Sequence, residues 1–234
     1  MGRKKTQRWL ARWELLRSHS GAWPRSTGEI AQVLLLLDDL RVQGWQGSIS
    51  RGRPQLADGT SVPWMTYPAI YFLEGALRDE MRLFEYGSGG STAWFAERVK
   101  EVTAVEADRF WLLQVPRAEN IRLRHVETEA DWYTDSRTDY VQAAVDGAPW
   151  DVIVIDGHAR NDCAQVAGSL LTPTGFIVLD DTHNPRLAPA QSCLSDQGFG
   201  RIDFAGYRPG LAERGVTSIF SRDFNSILRP SEDA

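Results

Sequence analysis

From residue 81 onward the sequence alternates short apolar runs with helix-like segments, and that alternation leaves very few folds open. Runs of strand length fall at 83–86, 102–106, 121–126, 152–156 and 176–180, with helix-like stretches between them at 90–100, 109–117, 139–146 and 159–171. Strands that alternate with helices pair in parallel through right-handed crossovers, and the resulting sheet is buried on both faces. Two further runs, 201–204 and 216–221, flank a turn-rich stretch at 206–215 and read as an antiparallel pair that closes the sheet. The expectation is an α/β domain with a largely parallel, seven-stranded sheet flanked by helices, preceded by a helical N-terminal extension.

The first of these strands ends in a glycine-rich turn, Glu85-Tyr86-Gly87-Ser88-Gly89-Gly90, and the second ends in an acid, Glu106. Gly87 and Gly89 put no side chain between the backbone and a ligand, and glycine reaches positive φ without steric cost. The helix expected to start near Gly90 offers unpaired N–H groups and a partial positive charge at its first turn. Glu106 lies nineteen residues after Gly87, at the end of the next strand, where a carboxylate can hold both hydroxyls of a ribose. Together these features point to a nucleoside-containing cofactor. A dinucleotide fingerprint requires G-x-G-x-x-G/A, and Thr92 occupies the third small position, so that match fails. The segment matches E-x-G-x-G, with Glu85 two residues before the first glycine.

On these residues the chain resembles the class I S-adenosylmethionine (SAM)-dependent methyltransferases, whose first motif has this form and whose Rossmann-like sheet closes with an antiparallel pair. The resemblance covers residues 81–222. It implies that Glu85, Gly87 and Gly89 line the methionine half of SAM and that Glu106 binds the ribose. Ser88, Ala107, Glu127 and Asp156 complete the candidate cofactor site.

In open α/β sheets, ligands bind beyond the carboxyl ends of the strands, near the point where strand order reverses. The conspicuous polar groups fall at such ends: Glu85, Glu106 with Asp108, Glu127, Asp156 with His158, and Asp180-Asp181 with His183. Residues 151–160 match the family's fourth strand, whose terminal acid borders the transferred methyl group. Residues 171–181 resemble its L-x-P-G-G turn and fifth strand, with Thr174 where glycine is common. A D-G-x-x-R run followed by D-D-T resembles the small-molecule O-methyltransferase branch. That resemblance implies Asp156, Asp180 and Asp181 as candidate ligands for Mg²⁺, a hard cation suited to oxygen donors. Asp181 stands where the family often has Asn, which favours the metal-free alternative. Without a metal, the natural proton acceptor is a histidine: His183, oriented by Asp180 or Asp181, or His158. Asp156, His183 and His158 are thus the candidate catalytic residues. Arg160 suits either an anionic group on the acceptor or a pair with a strand-end acid.

The length of 234 residues suits one α/β domain plus an extension, with expected boundaries at 1–80 (helical cap), 81–222 (SAM-binding domain) and 223–234 (tail). A net charge of −5, with acids and bases interspersed, argues against a nucleic-acid partner, which needs a concentrated basic face. Cys163 and Cys193 are too few for a disulfide framework, and no apolar run is long enough to span a bilayer. A cytoplasmic protein without a membrane span is expected. Within the extension, Ile30, Val33, Leu34, Leu37 and Leu40 make one helical stripe, capped by Ser26 or Thr27 and ended by Gly44. Residues 68–77 read as another helix and 47–63 as a loop or small hairpin. Trp9, Trp13 and Leu16, spaced among Arg8, Arg12 and Arg17, suit docking onto the domain or onto a second subunit in a homo-oligomer. The expected function is methyl transfer from SAM to a small-molecule acceptor, at oxygen. A nicotinamide-dependent oxidoreductase and a non-catalytic binding protein on the same fold are the competing readings.

Overall fold

The computed structural model describes residues 26–128, 131–133 and 139–228. Trp9, Trp13, Leu16 and the second half of the expected tail, 229–234, lie outside these residues. The chain divides into two compact units, Met1–Val42 and Gln43–Ala234. In the first, the described element is helix α1 (Thr27–Val42). Ser26 caps it: its hydroxyl accepts from the Glu29 N–H while the Glu29 carboxylate accepts from the Ser26 N–H, each at 3.2 Å.

The division falls after Val42, where the sequence suggested residue 80. Residues 43–80 belong with the sheet and supply helices α2 (Trp45–Arg51) and α3 (Tyr67–Ala76). Gly44, at φ 83°, precedes α2 and packs on the Gln55 and Leu56 backbone too closely for any side chain. The sheet follows, in chain order: β1 (Arg82–Tyr86), α4 (Gly90–Ala96), β2 (Glu101–Glu106), α5 (Arg109–Leu112), β3 (Ile121–His125), α6 (Asp139–Gln142), β4 (Trp150–Ile155), α7 (Arg160–Ala167), β5 (Leu171–Leu179), α8 (Ala188–Asp196), β6 (Gly200–Arg208), β7 (Leu211–Ser221) and α9 (Phe224–Ile227). The spatial order of the seven strands is β3-β2-β1-β4-β5-β7-β6. β1 to β5 are parallel, and β7 runs antiparallel to both of its neighbours. This is the expected Rossmann-like architecture.

Alternation along the central strands sends side chains to two cores. Phe84, Tyr86, Ile153, Ile155, Ile177 and Leu179 face one layer, with Trp150 and buried residues of α6, α7 and α8. Leu83, Val152, Val154, Phe176 and Val178 face the other, with residues of α3 and α4. Each fully buried large apolar side chain contributes about 1.5–3 kcal/mol, so the continuous apolar runs of β1, β4 and β5 anchor the fold. No helix among the described residues is long and apolar enough to cross a membrane.

Three local expectations need correction. The stretch 206–215 is strand except at the Pro209–Gly210 tip. Its glycines permit close approach: a Cβ on Gly206 would lie 2.7 Å from Cδ of Pro68 in α3, and one on Gly215 would lie 2.9 Å from Arg208 Nε within the hairpin. The turn expected around Pro173 is the start of β5, which meets β4 through a register shift between Trp150 and Val152. Helix α8 went unread in the sequence, although Pro185 and Pro189 stand in the first turns of its 3₁₀ lead-in and of the helix itself.

Candidate active site

Strand order reverses between β1 and β4, and their carboxyl ends come into backbone contact there. Gly87 has φ 107°, and a Cβ on it would sit 3.1 Å from the Gly157 nitrogen. The N–H groups of the turn are largely consumed by the protein. Gly87 donates to Val105 C=O (2.9 Å), Ser88 to Glu106 Oε2 (2.7 Å) and Gly89 to Thr92 Oγ1 (3.1 Å). Thr92, the residue that spoils the dinucleotide fingerprint, is fully buried and donates to Glu85 Oε2 at 2.6 Å, while Ser91 Oγ donates to Glu85 Oε1 at 2.5 Å. Glu85 therefore ties β1 to the first turn of α4. Burial pushes its carboxyl up to about 7, against the opposing effect of the two hydroxyls.

Glu106 ends β2 at 4 % exposure, and its carboxylate accepts three backbone N–H groups. Ala107 and Asp108 donate to Oε1, both at 2.8 Å, and Ser88 donates to Oε2. A carboxylate offers about four lone-pair sites, so roughly one, on Oε2, remains for a ligand. Burial raises the Glu106 pKa, and the three amides oppose it.

At the ends of β4 and β5 the acids gather around arginine. Arg160 Nη2 lies 2.9 Å from Asp156 Oδ1 and donates to Asp156 C=O at 2.7 Å; its Nη1 donates to Asp180 C=O (3.1 Å) and lies 3.3 Å from Asp181 Oδ2. The Nε group donates to Gly157 C=O at 3.0 Å. Arg208, from the β6–β7 hairpin, takes Asp181 Oδ1 at 2.7 Å. Asp180 is buried and accepts the Thr217 hydroxyl, and burial followed by repulsion from Asp156 and Asp181 pushes its pKa well up. Burial also raises Asp156 to about 7, with Arg160 opposing. Burial disfavours the Arg160 charge, but Asp156, Asp180 and Asp181 together hold its pKa above the ordinary value. This donor set fits Mg²⁺ poorly, because Arg160 and Arg208 take both Asp181 oxygens, Arg160 takes one of Asp156 and the Thr217 hydroxyl takes one of Asp180. Among the described residues, no group of three or more His, Cys, Asp or Glu side chains is arranged to hold a metal ion.

One cavity of about 840 Å³ joins these parts. Its wall includes Glu85, Gly87, Ser88, Gly89 and Glu106 from the cofactor set, together with Asp156, Asp180 and Asp181. Ala107 and Glu127 are off that wall; Glu127 is exposed and faces Arg109 at 3.4 Å. The histidines are off it as well. His183 is exposed and its Nδ1 accepts from the Val216 N–H at 3.2 Å. His158 stacks on Trp132 with ring centroids 4.3 Å apart, and its Nδ1 is buried without a hydrogen-bond partner. Of the three candidate catalytic residues, Asp156 alone is on the wall, and neither histidine expected as the base is.

Trp111, Trp132 and Arg208, which no sequence pattern singled out, also line the cavity. Trp132 is placed by backbone pairing. Ala159, Arg160 and Asn161, at the start of α7, donate to the carbonyls of Asp131, Trp132 and Tyr133 at 3.0, 3.2 and 2.8 Å. Such pairing between distant segments leaves no periodic trace in the sequence.

Two of the four raised carboxyls, Glu85 and Asp156, set a pH window for stability. Glu85 and Asp156 titrate near 7 when folded, against 4.5 and 3.8 ordinarily, so between those values the folded protein binds more protons than the unfolded chain. Their stabilising contribution is full below the ordinary carboxylate range and is lost as pH rises through about 7, at up to about 1.4 kcal/mol per pH unit for each group. The urea midpoint of the ligand-free protein is expected to be higher at about pH 5.5 than at about pH 7.5. A midpoint that rises across that window contradicts these assignments.

No protein-family profile matches the chain, and no curated protein matches it. Solved structures do. A precorrin-6y C5,15-methyltransferase from Geobacter metallireducens superposes with a TM-score of 0.51 and 17% identity, over 67% of this chain and 87% of that one. An rRNA methylase from Streptococcus thermophilus gives 0.49 and 13%, over 65% and 94%. A precorrin 8W decarboxylase from Methanobacterium thermoautotrophicum gives 0.47 and 17%, over 65% and 87%. At such identities the likeness is one of architecture. Strand order, the antiparallel β7 and the first of these superpositions agree: the chain has the fold of the class I SAM-dependent methyltransferases.

Proposed function

We propose that the protein is a SAM-dependent methyltransferase that methylates a small-molecule acceptor at oxygen. The observation that carries this reading is a single cavity with the glycine turn and Glu106 on one part of its wall and Asp156 on another. Its size falls within the range of about 300–1,000 Å³ usual for small-molecule sites. The residues present fit the cofactor. Gly87 and Gly89 leave the wall open, Ser88 Oγ is buried there with no partner, and Glu106 keeps one acceptor site. SAM, when bound, supplies a methyl group activated on a sulfonium. Glu106 holds a ribose hydroxyl, and the acids around the cavity favour a cationic ligand over a neutral one.

Asp156 receives the acceptor's hydroxyl proton in this reading. A carboxyl that titrates near neutrality suits a general base, and Arg160 fixes its orientation through the pair at 2.9 Å. Neither histidine shares the cavity wall with it. Beside the cavity wall the β6–β7 tip is tied to the chain before the sheet: Trp64 Nε1 donates to Pro209 C=O at 2.9 Å and Trp45 Nε1 to Leu211 C=O at 2.8 Å.

Isothermal titration of the wild-type protein with SAM and with S-adenosylhomocysteine tests the reading. One binding site is expected for each compound, with SAM gaining on S-adenosylhomocysteine as pH rises through 7 and the acids ionise. Absence of heat with both compounds would falsify it. Binding without transfer of a labelled methyl to any hydroxylated compound in a broad panel would leave a binding protein in place of an enzyme.

A further inference from the structure

The cavity separates its charges by depth. The deep wall carries Glu85 and Asp180, at 1 % and 2 % exposure, and the inner guanidinium Arg160 is saturated by Asp156, Asp180, Asp181 and Gly157 oxygens. Arg208 places Nη1 on Asp181, and its buried Nε has no hydrogen-bond partner among the described residues. At the mouth the sign changes. Arg51 and Arg53 line the cavity and are exposed, and neither has a carboxylate partner among the described residues. Phe110 and Trp132, 61 % and 48 % exposed, share that rim, and Trp64 and Trp111 meet edge to face behind it, with centroids 6.2 Å apart.

The two arginines are held in a rigid loop. Arg51 is the last residue of α2, and Gly52 caps that helix at φ 66°, its N–H donating to Ser48 C=O at 2.9 Å. The buried Ser48 hydroxyl accepts from the Gln55 N–H at 3.0 Å and so closes the loop from the other side. Gly210 of the β6–β7 tip rests on the same turn, since a Cβ there would lie 3.0 Å from Ser48 Cβ. Two guanidiniums carried by a backbone-pinned loop at an aromatic-lined opening, without acids of their own among the described residues, form a receiver for an anion attached to a flat body.

We propose that the methyl acceptor carries an anionic group, a carboxylate or a phosphate, on an aromatic body, and that Arg51 and Arg53 receive that group at the cavity mouth. The proposal rests on the methyltransferase reading of the same cavity. The deep wall, whose acids are offset by Arg160 and Arg208, then takes the cofactor while the basic rim faces the anionic acceptor. A long nucleic acid fits less well, because two arginines do not make the concentrated basic face that a phosphate backbone needs.

The test uses the full chain saturated with S-adenosylhomocysteine, with benzoate, phenyl phosphate and neutral benzamide as probes, followed by quenching of tryptophan fluorescence. At low salt at least one anion is expected to bind about tenfold or more tighter than benzamide, with the margin shrinking as salt is added. Comparison of benzoate with phenyl phosphate tells which anion the site takes. The double variant Arg51→Ala/Arg53→Ala is expected to bring the anions to the level of benzamide while S-adenosylhomocysteine affinity stays within about twofold. Benzamide binding as tightly as both anions overturns the proposal, as does a double variant that keeps the preference. A double variant that loses S-adenosylhomocysteine affinity also overturns it, because the arginines then hold the cofactor's own carboxylate. Tighter binding of a single-stranded RNA oligonucleotide than of either anion does so too. If wild-type protein takes up no S-adenosylhomocysteine, the methyltransferase reading fails on its own, and the same probes on the unliganded protein still decide whether the arginine pair selects anions.

Discussion

Replacing Glu106 with glutamine is expected to weaken S-adenosylhomocysteine binding by about tenfold to more than a hundredfold, the loss of one charge-assisted hydrogen bond worth ~1.5–3 kcal/mol. The carboxylate is not free to adapt, since three backbone N–H groups hold both of its oxygens. The glutamine amide keeps one acceptor oxygen for Ala107 and Asp108 but turns an N–H₂ group toward the Ser88 N–H. The variant thus loses the ligand's acceptor and also loosens the glycine turn, and its thermal midpoint should fall along with its affinity. Titration calorimetry with a parallel melting curve separates the two effects. A folded Glu106→Gln protein with wild-type affinity would remove Glu106 from the cofactor site.

Gly157→Ala is expected to lower the stability of the fold by about 3 kcal/mol, the upper end of what overpacking a tight core costs. The added methyl would lie 2.1 Å from the Tyr140 hydroxyl, 2.8 Å from the Gly87 nitrogen and 3.0 Å from Gly87 Cα. Tyr140 is fully buried and accepts from the His158 N–H at 3.3 Å, so it has no empty space to enter, and the Gly87 contacts are backbone. Gly75→Ala in α3 provides the contrast. Its Cβ meets nothing within 4 Å, and the substitution should raise stability by about 0.5–1 kcal/mol through the helix preference for alanine. Urea denaturation of both variants checks the pair. Equal midpoints would mean that β1 and β4 can separate at their tips without cost.

The parts of the site that could be read in the sequence are those that depend on backbone position. Gly87 must be glycine to lie against Gly157, Glu106 must end its strand to reach Ser88, and Asp156 must end β4; each leaves a local pattern of residue type and spacing. The strand alternation was legible for the same reason, because apolar runs buried on both faces have no other favourable placement. The acceptor end was not legible. Arg208 meets Asp181 across a hairpin that glycine content disguised as a turn, and Trp132 reaches the cavity through carbonyls that cap a helix far along the chain. Arg51 and Arg53 sit in a stretch that reads as a loop or small hairpin, whereas Arg51 ends a helix, and only the closure of the following turn through Ser48 gives the pair a direction. The preference for His183 as the base rested on its neighbours in sequence; in the fold its ring instead takes the Val216 N–H.

The two indole bonds from Trp45 and Trp64 to the hairpin tip join positions 166 and 145 residues apart. During synthesis the strands that carry the glycine turn and Glu106 leave the ribosome well before Leu211 does, so these two bonds form only once the final hairpin has been made. Until then the indoles of Trp45 and Trp64 lack their carbonyl partners, and the rate at which that hairpin docks determines how long the interval lasts.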